Sequence, residues 1–177
     1  MEKKYCFTVN GVLRETSEDK SLLKFLRDDL RLLSVKDGCR EGACGTCTIV
    51  VDGKSVKACV LTTKKAEGKN ILTTEGLSER EKEAFVYAFG ARGSVQCGFC
   101  IPGMVMSAKA LIDKNPSPTE TDIKMALKRN ICRCTGYKKI IEGIQLVAAI
   151  LRGEEQIDPA FENSDACGMG QDTFRSD

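Results

Sequence analysis

Eight of the ten cysteines in the chain fall into two groups whose spacing could hold metal. Cys39, Cys44 and Cys47 follow a Cys-x4-Cys-x2-Cys pattern, and Cys59 lies further along the chain. That is the plant-type [2Fe-2S] ligand arrangement, with three thiolates from one loop and a fourth from elsewhere. A loop wrapped around such a cluster must turn tightly and aim backbone N–H groups at sulfur, which Gly38, Gly42 and Gly45 permit. A zinc site is the alternative, although four-cysteine zinc sites more often use two paired knuckles. The second group is Cys97-x2-Cys100, then 31 intervening residues and Cys132-x-Cys134. A Cys-x2-Cys redox dithiol needs no second pair, whereas two converging pairs give four thiolates for a cluster, so spacing favours a cluster but leaves the dithiol and zinc open. Cys6 reads as a small buried hydrophobe in a strand and Cys167 as a free thiol in the tail; neither has ligand spacing.

Absent residue types narrow the chemistry. The chain has no histidine, which excludes a zinc finger of paired cysteines and histidines, a Rieske centre and a Ser-His-Asp triad. The start, Met1 to Asn10, enters a strand-like pattern directly and lacks the apolar segment and cleavage site of a secretory signal, so a cytoplasmic location is expected. Thiols are kept reduced there, which favours metal ligation over a disulfide framework. The net charge of +2 comes from 27 basic and 25 acidic residues mixed along the chain, and no basic stripe points to nucleic acid. The most apolar run, Ile140 to Leu151, is interrupted by Glu142, Gly143 and Gln145, and no membrane span is expected.

The elements that must position these cysteines change character midway. Tyr5 to Val9 alternates like a strand, and Asn10-Gly11 is a strong hairpin signal before Val12 and Leu13. Ser21 precedes Leu22, Leu23, Phe25, Leu26 and Leu30, the spacing of a short amphipathic helix. After the glycine-rich loop, Thr48 to Val51 reads as a strand, Asp52-Gly53 as a tight turn and Ser55 to Val60 as the returning strand that brings back Cys59. Beyond Gly76 helices dominate. Ser78 and Glu81 form a capping box for a helix to about Phe89; Pro102 opens one to about Asp113; Thr119 caps one to Lys128; Lys138 to Leu151 gives a fourth, stopped at Gly153. Pro159 and the Gly-, Asp- and Ser-containing stretch after it show no apolar periodicity and read as an extended segment.

Three blocks carry a resemblance: Cys39-Arg40-Glu41-Gly42-Ala43-Cys44-Gly45-Thr46-Cys47-Thr48, Gln96-Cys97-Gly98-Phe99-Cys100-Ile101-Pro102-Gly103, and Asn130-Ile131-Cys132-Arg133-Cys134-Thr135-Gly136-Tyr137. Over about residues 3–152 the chain resembles the two-cluster iron–sulfur module of the molybdenum hydroxylases, the xanthine dehydrogenase and aldehyde oxidoreductase family. The resemblance implies an α+β fold: a ferredoxin-like β-grasp domain at 1–76, a four-helix bundle domain at 77–153 and an extended tail at 154–177 that docks on the molybdenum subunit. It implies an electron-transfer subunit of an oxidoreductase, with no catalytic residue of its own. Electrons would leave molybdopterin in a large partner subunit for the cluster of Cys97, Cys100, Cys132 and Cys134. They would then reach the cluster of Cys39, Cys44, Cys47 and Cys59, and pass on to FAD in a further subunit or another acceptor. Gln96 and Cys134 would lie beside the pterin. A xanthine dehydrogenase-like purine hydroxylase is the leading expectation. The alternatives are small subunits of aldehyde, nicotinate, carbon monoxide or hydroxybenzoyl-CoA oxidoreductases, and a free-standing ferredoxin.

Overall fold

The computed structural model describes residues 4–159 and 161; Cys167 and most of the expected tail lie outside them. Two hairpins open the fold. Strands β1 (Tyr5–Val9) and β2 (Val12–Thr16) are joined at Asn10 and Gly11, whose φ angles of 51° and 79° are the left-handed pair that a two-residue hairpin needs. Strands β3 (Thr48–Val51) and β4 (Lys54–Lys57) use Asp52 and Gly53 in the same way, at φ 47° and 76°. A short strand that the sequence reading did not anticipate, β5 (Asn70–Leu72), lies between the hairpins, parallel to β1 and antiparallel to β3. The sheet order is β2-β1-β5-β3-β4. Strand β4 is shorter than expected, because Ala58–Val60 is a 3-10 turn that carries Cys59 off the sheet edge.

The expected helix after Ser21 is α-helical only over Leu22–Lys24 (α1) and continues as a π-helical turn over Phe25–Asp29. Its buried Leu22, Leu23, Phe25 and Leu26 cover one sheet face with Phe7, Val9, Ile49 and Ile71, and the Phe7 and Phe25 rings meet edge to face at 5.3 Å. Phe7 and Val9 take the core side of β1, which leaves Cys6 on the outward face; it is exposed, not the buried hydrophobe expected.

The second half contains helices α2 (Glu79–Ala91), α3 (Ile101–Lys114), α4 (Glu120–Leu127) and α5 (Lys138–Arg152). Their ends follow the sequence signals: Ser78 with Glu81 and Thr119 with Asp122 form complete capping boxes, and Gly153 closes α5 in the left-handed region at φ 80°. Phe85, Phe89, Met104, Ile123, Ile140 and Ile144 lie in one buried cluster at the centre of the helical half. The two halves meet where α3 lies across β3, with Val50, Met106 and Ala110 buried together. Asn10 fastens the connecting segment, donating from Nδ2 to Thr73 Oγ1 at 3.0 Å and accepting the Thr73 N–H at 2.9 Å. No helix among the described residues is long and apolar enough to cross a membrane.

Candidate metal centres

The glycine-rich loop wraps its first cysteine in backbone donors. The N–H groups of Glu41 and Cys44 each donate to Cys39 Sγ at 3.4 Å, and together they pull that thiol down to about 6, the Cys44 N–H contributing most. The loop reaches this shape through Gly42 and Gly45 at φ 73° and 74°, and through Arg40 at φ 59°. Cys44 Sγ lies 3.2 Å from Thr46 Oγ1. Cys47, only 2% exposed, meets Cys59 from the 3-10 turn, and burial pushes its thiol up to about 12. Beneath the loop the buried Lys57 donates from Nζ to the Gly42 carbonyl at 2.7 Å. Its pKa is lowered by that burial, then by Arg129, while Cys47, Cys44 and Cys59 act in the opposite direction.

The second group forms at the ends of helices. Cys97 and Cys100 flank the tight turn into α3, with Cys100 buried and Cys97 exposed; Cys132 and Cys134 sit in the loop between α4 and α5. Cys134 Sγ and Cys97 Sγ are 3.7 Å apart, a contact that raises the Cys134 pKa. Cys100 interacts with Cys132, but burial is the main cause that pushes its thiol up to about 12. For Cys132 burial acts upward too, yet the Thr135 hydroxyl at 3.2 Å and the Thr135 N–H at 3.4 Å outweigh it and lower the pKa. Tyr137, held at φ 72°, folds its ring back so that its hydroxyl accepts the Cys132 N–H at 2.9 Å and donates to the Asn130 carbonyl at 3.0 Å.

Each group thus resolves into two pairs of interacting thiols: Cys39 with Cys44 and Cys47 with Cys59, then Cys97 with Cys134 and Cys100 with Cys132. Among the described residues no three His, Cys, Asp or Glu side chains close on one point as a single ion would require. Two thiolates for each of two irons is the division a [2Fe-2S] cluster needs, and backbone N–H and hydroxyl donors to sulfur are the contacts that stabilise its negative charge. The residues present therefore fit such a group at both places. None of the nine described cysteines is in a disulfide.

The two places are neighbours. A cleft of about 280 Å³ is lined by Cys39 and Cys44 on one side and by Cys97, Cys100, Cys132 and Cys134 on the other, with Phe99 in its wall. Gln96, the remaining predicted site residue, is exposed at the same end as Cys97 and Cys134. Sequence reasoning gave no role to Thr46, Thr135, Asn130 or the Tyr137 hydroxyl. Two of these are threonines close to a ligand-type cysteine, a local signal that could have flagged them; Asn130 depends on contacts far away in sequence.

Comparison with known proteins agrees with this geometry. A family model for a 2Fe-2S iron-sulfur cluster binding domain matches residues 7–74, and one for a [2Fe-2S] binding domain matches residues 73–145. The nicotinate dehydrogenase small FeS subunit of Eubacterium barkeri is 47% identical over 135 residues, covering 75% of this chain and 86% of the relative. The xanthine dehydrogenase iron-sulfur-binding subunit of Escherichia coli is 45% identical over 116 residues, covering 64% of this chain and 73% of the relative. Among solved structures, the aldehyde oxidoreductase from Desulfovibrio desulfuricans superimposes with a TM-score of 0.82 at 40% identity, covering 88% of this chain and 18% of that longer one.

Proposed function

The chain belongs to the small iron–sulfur subunits of the molybdenum hydroxylases, and on that premise we propose that each of its two cysteine groups holds one [2Fe-2S] cluster on an electron path. Cys39, Cys44, Cys47 and Cys59 ligate one cluster, and Cys97, Cys100, Cys132 and Cys134 the other. The observation that carries this reading is the division of each group into two thiol pairs with polar donors on sulfur. When bound, the clusters supply one-electron acceptors and donors. The protein's part is to hold them: the Glu41 and Cys44 N–H groups stabilise charge on Cys39, Thr135 does the same for Cys132, and burial of Cys47 and Cys100 excludes water.

Residues 1–76 act as the ferredoxin-like domain, 77–153 as a four-helix bundle domain, and 154–177 as a segment that docks on the large subunit. Gln96 and Cys134 face the molybdopterin of that subunit, a reading supported by their exposure at one end of the molecule. Electrons released there cross this chain to FAD in another subunit, or to another acceptor, in a cytoplasmic complex. A xanthine dehydrogenase-like purine hydroxylase is the activity we assign to the complex. A nicotinate-type hydroxylase is the second reading, favoured by the longer match to a nicotinate dehydrogenase subunit, 135 residues at 47% identity against 116 at 45% for the xanthine dehydrogenase subunit.

Metal and labile-sulfide analysis of the purified chain tests the reading. About four irons and four sulfides per chain are expected from two two-iron clusters. Stoichiometric zinc without sulfide overturns it. Purification with the large subunit and titration with purine and nicotinate substrates then separate the two activities.

A further inference from the structure

The first cysteine group is built over a buried cation. Lys57 closes β4, where it pairs with Thr48, the residue after Cys47, and it stands two residues before Cys59. Its neighbour Ala58 donates its N–H to the Cys47 carbonyl at 3.1 Å. Lys57 itself donates from Nζ to the Gly42 carbonyl at 2.7 Å, inside the loop between Cys39 and Cys44. Gly42 leaves room for this arrangement, since a Cβ there would come within 2.8 Å of Val60 Cγ1 and 4.0 Å of Lys57 Cδ. The lysine is 8% exposed, so little water reaches it.

Burying an ammonium is costly unless opposite charge meets it. The Gly42 carbonyl occupies one N–H donor and brings no net charge, so it does not supply that compensation. Apart from burial itself, the leading influences on the Lys57 charge include no carboxylate: Arg129 disfavours the ammonium, and Cys47, Cys44 and Cys59 favour it. Lys109 is the contrasting case. Its side chain, 13% exposed, lies 2.9 Å from Glu81 and 2.5 Å from Asp113, two ordinary carboxylate partners. The groups that can answer the charge of Lys57 are ligand-type sulfurs.

We propose that Lys57 is the positioning residue that sets how readily the first cysteine group takes an electron, its ammonium offsetting part of the negative charge gathered on the four thiolates. The inference rests on the two-cluster reading above and names the side chain of this protein that tunes one of the two sites. A positive charge held beneath the loop favours the more negative state and so raises the reduction potential. Inside the fold it acts with less screening than an exposed lysine could. Lys54, at the exposed start of the same strand, supplies the comparison: the same charge, in water.

The experiment uses the full chain and follows both sites in one molecule by EPR-monitored redox titration. Dithionite supplies one electron to each site and is itself oxidised to sulfite. About four irons and two reduced signals in the parent establish the premise; without them the two-cluster reading fails before Lys57 is tested. Lys57→Gln removes the charge and keeps an N–H donor. It should lower the ratio of reduced to oxidised first site about tenfold at a given potential, about 59 mV for one electron, and leave the second site unchanged. Lys57→Arg, which keeps the charge, should stay near the parent, and so should Lys54→Gln. An unshifted first site in Lys57→Gln, or an equal shift in Lys54→Gln, overturns the proposal. Should Lys57→Gln lose the iron of the first site, Lys57→Arg decides the matter: iron retained with arginine supports the countercharge, and iron lost from both overturns it in favour of a purely steric role.

Discussion

The two cysteine groups solve the same coordination problem with opposite relations to solvent. In the first, backbone donors of the loop close over Cys39, the Thr46 hydroxyl meets Cys44, Cys47 is sealed in the core of the sheet domain, and Lys57 is buried beneath. In the second, the ends of helices bring the residues together, Cys100 is buried, and Cys97 and Cys134 are exposed beside Gln96. A site built from one loop can enclose itself. A site built from helix ends has a natural open side, and here that side carries a sulfur pair. The difference makes the second group the one whose sulfurs a partner could reach directly.

If the groups are independent, one substitution in each should remove only its own cluster. Cys100→Ser should lower iron from about four to about two atoms per chain and leave the signal of the loop site intact, and Cys47→Ser should do the converse. Loss of all iron from either single variant would break the comparison. Backbone fit at the joint comes next in size. Gly45→Ala combines a left-handed φ of 74° with a contact of 2.2 Å to the Arg129 carbonyl, and should cost about 3 kcal/mol or more in denaturant unfolding. Gly11→Ala, at φ 79° with open space around it, should cost only about 1 kcal/mol. Similar losses at both sites would show that the joint is not tightly packed.

One pH-dependent effect should come from the helical half. Glu81 is partly buried, which raises its pKa, but Lys109 Nζ at 2.9 Å and the Ser78 groups outweigh burial and hold it below its ordinary 4.5. A depressed carboxylate stabilises the fold fully above its unfolded value and loses that contribution as pH falls through its folded one. Glu81→Gln should therefore cost about 1–2 kcal/mol at pH 7, and the difference from the parent should shrink steadily below about pH 4.5. A difference that stays constant down to pH 2 would rule out the ion pair as its source. The smallest expected effect is Thr119→Ala, about 1 kcal/mol from loss of the cap on α4.

The parts legible in the sequence were those whose cause is local. Asn10-Gly11 and Asp52-Gly53 encode their hairpins in two residues, and the boxes Ser78 to Glu81 and Thr119 to Asp122 encode helix starts in four. The grouping of Cys39, Cys44 and Cys47 was legible because they share one loop, whereas the approach of Cys134 to Cys97 depends on packing between residues 37 positions apart. Strand β5 was not: its three residues are fixed by pairing with β1 and β3, which come from far earlier in the chain. The outward position of Cys6 turned on strand register, which the larger Phe7 and Val9 decide by taking the core. The role of Asn130 was hidden for the same reason as β5, because Gly45, Thr48 and Ser107 reach it only after both halves have folded.

After α5 the chain doubles back. Arg80 near the start of α2 reaches the Leu151 carbonyl, Ile157 packs on the helical core, and the Phe161 ring sits against Gly90 and edge-on to Tyr87 at 5.1 Å near the end of α2. From there α2 leads through the buried Ser94 to Gln96 and Cys97. The segment after α5 therefore runs back along α2, from the Arg80 end that holds the Leu151 carbonyl to the Gly90 end that leads on to Gln96 and Cys97, so one helix ties the close of the described chain to the approach to its exposed sulfur pair.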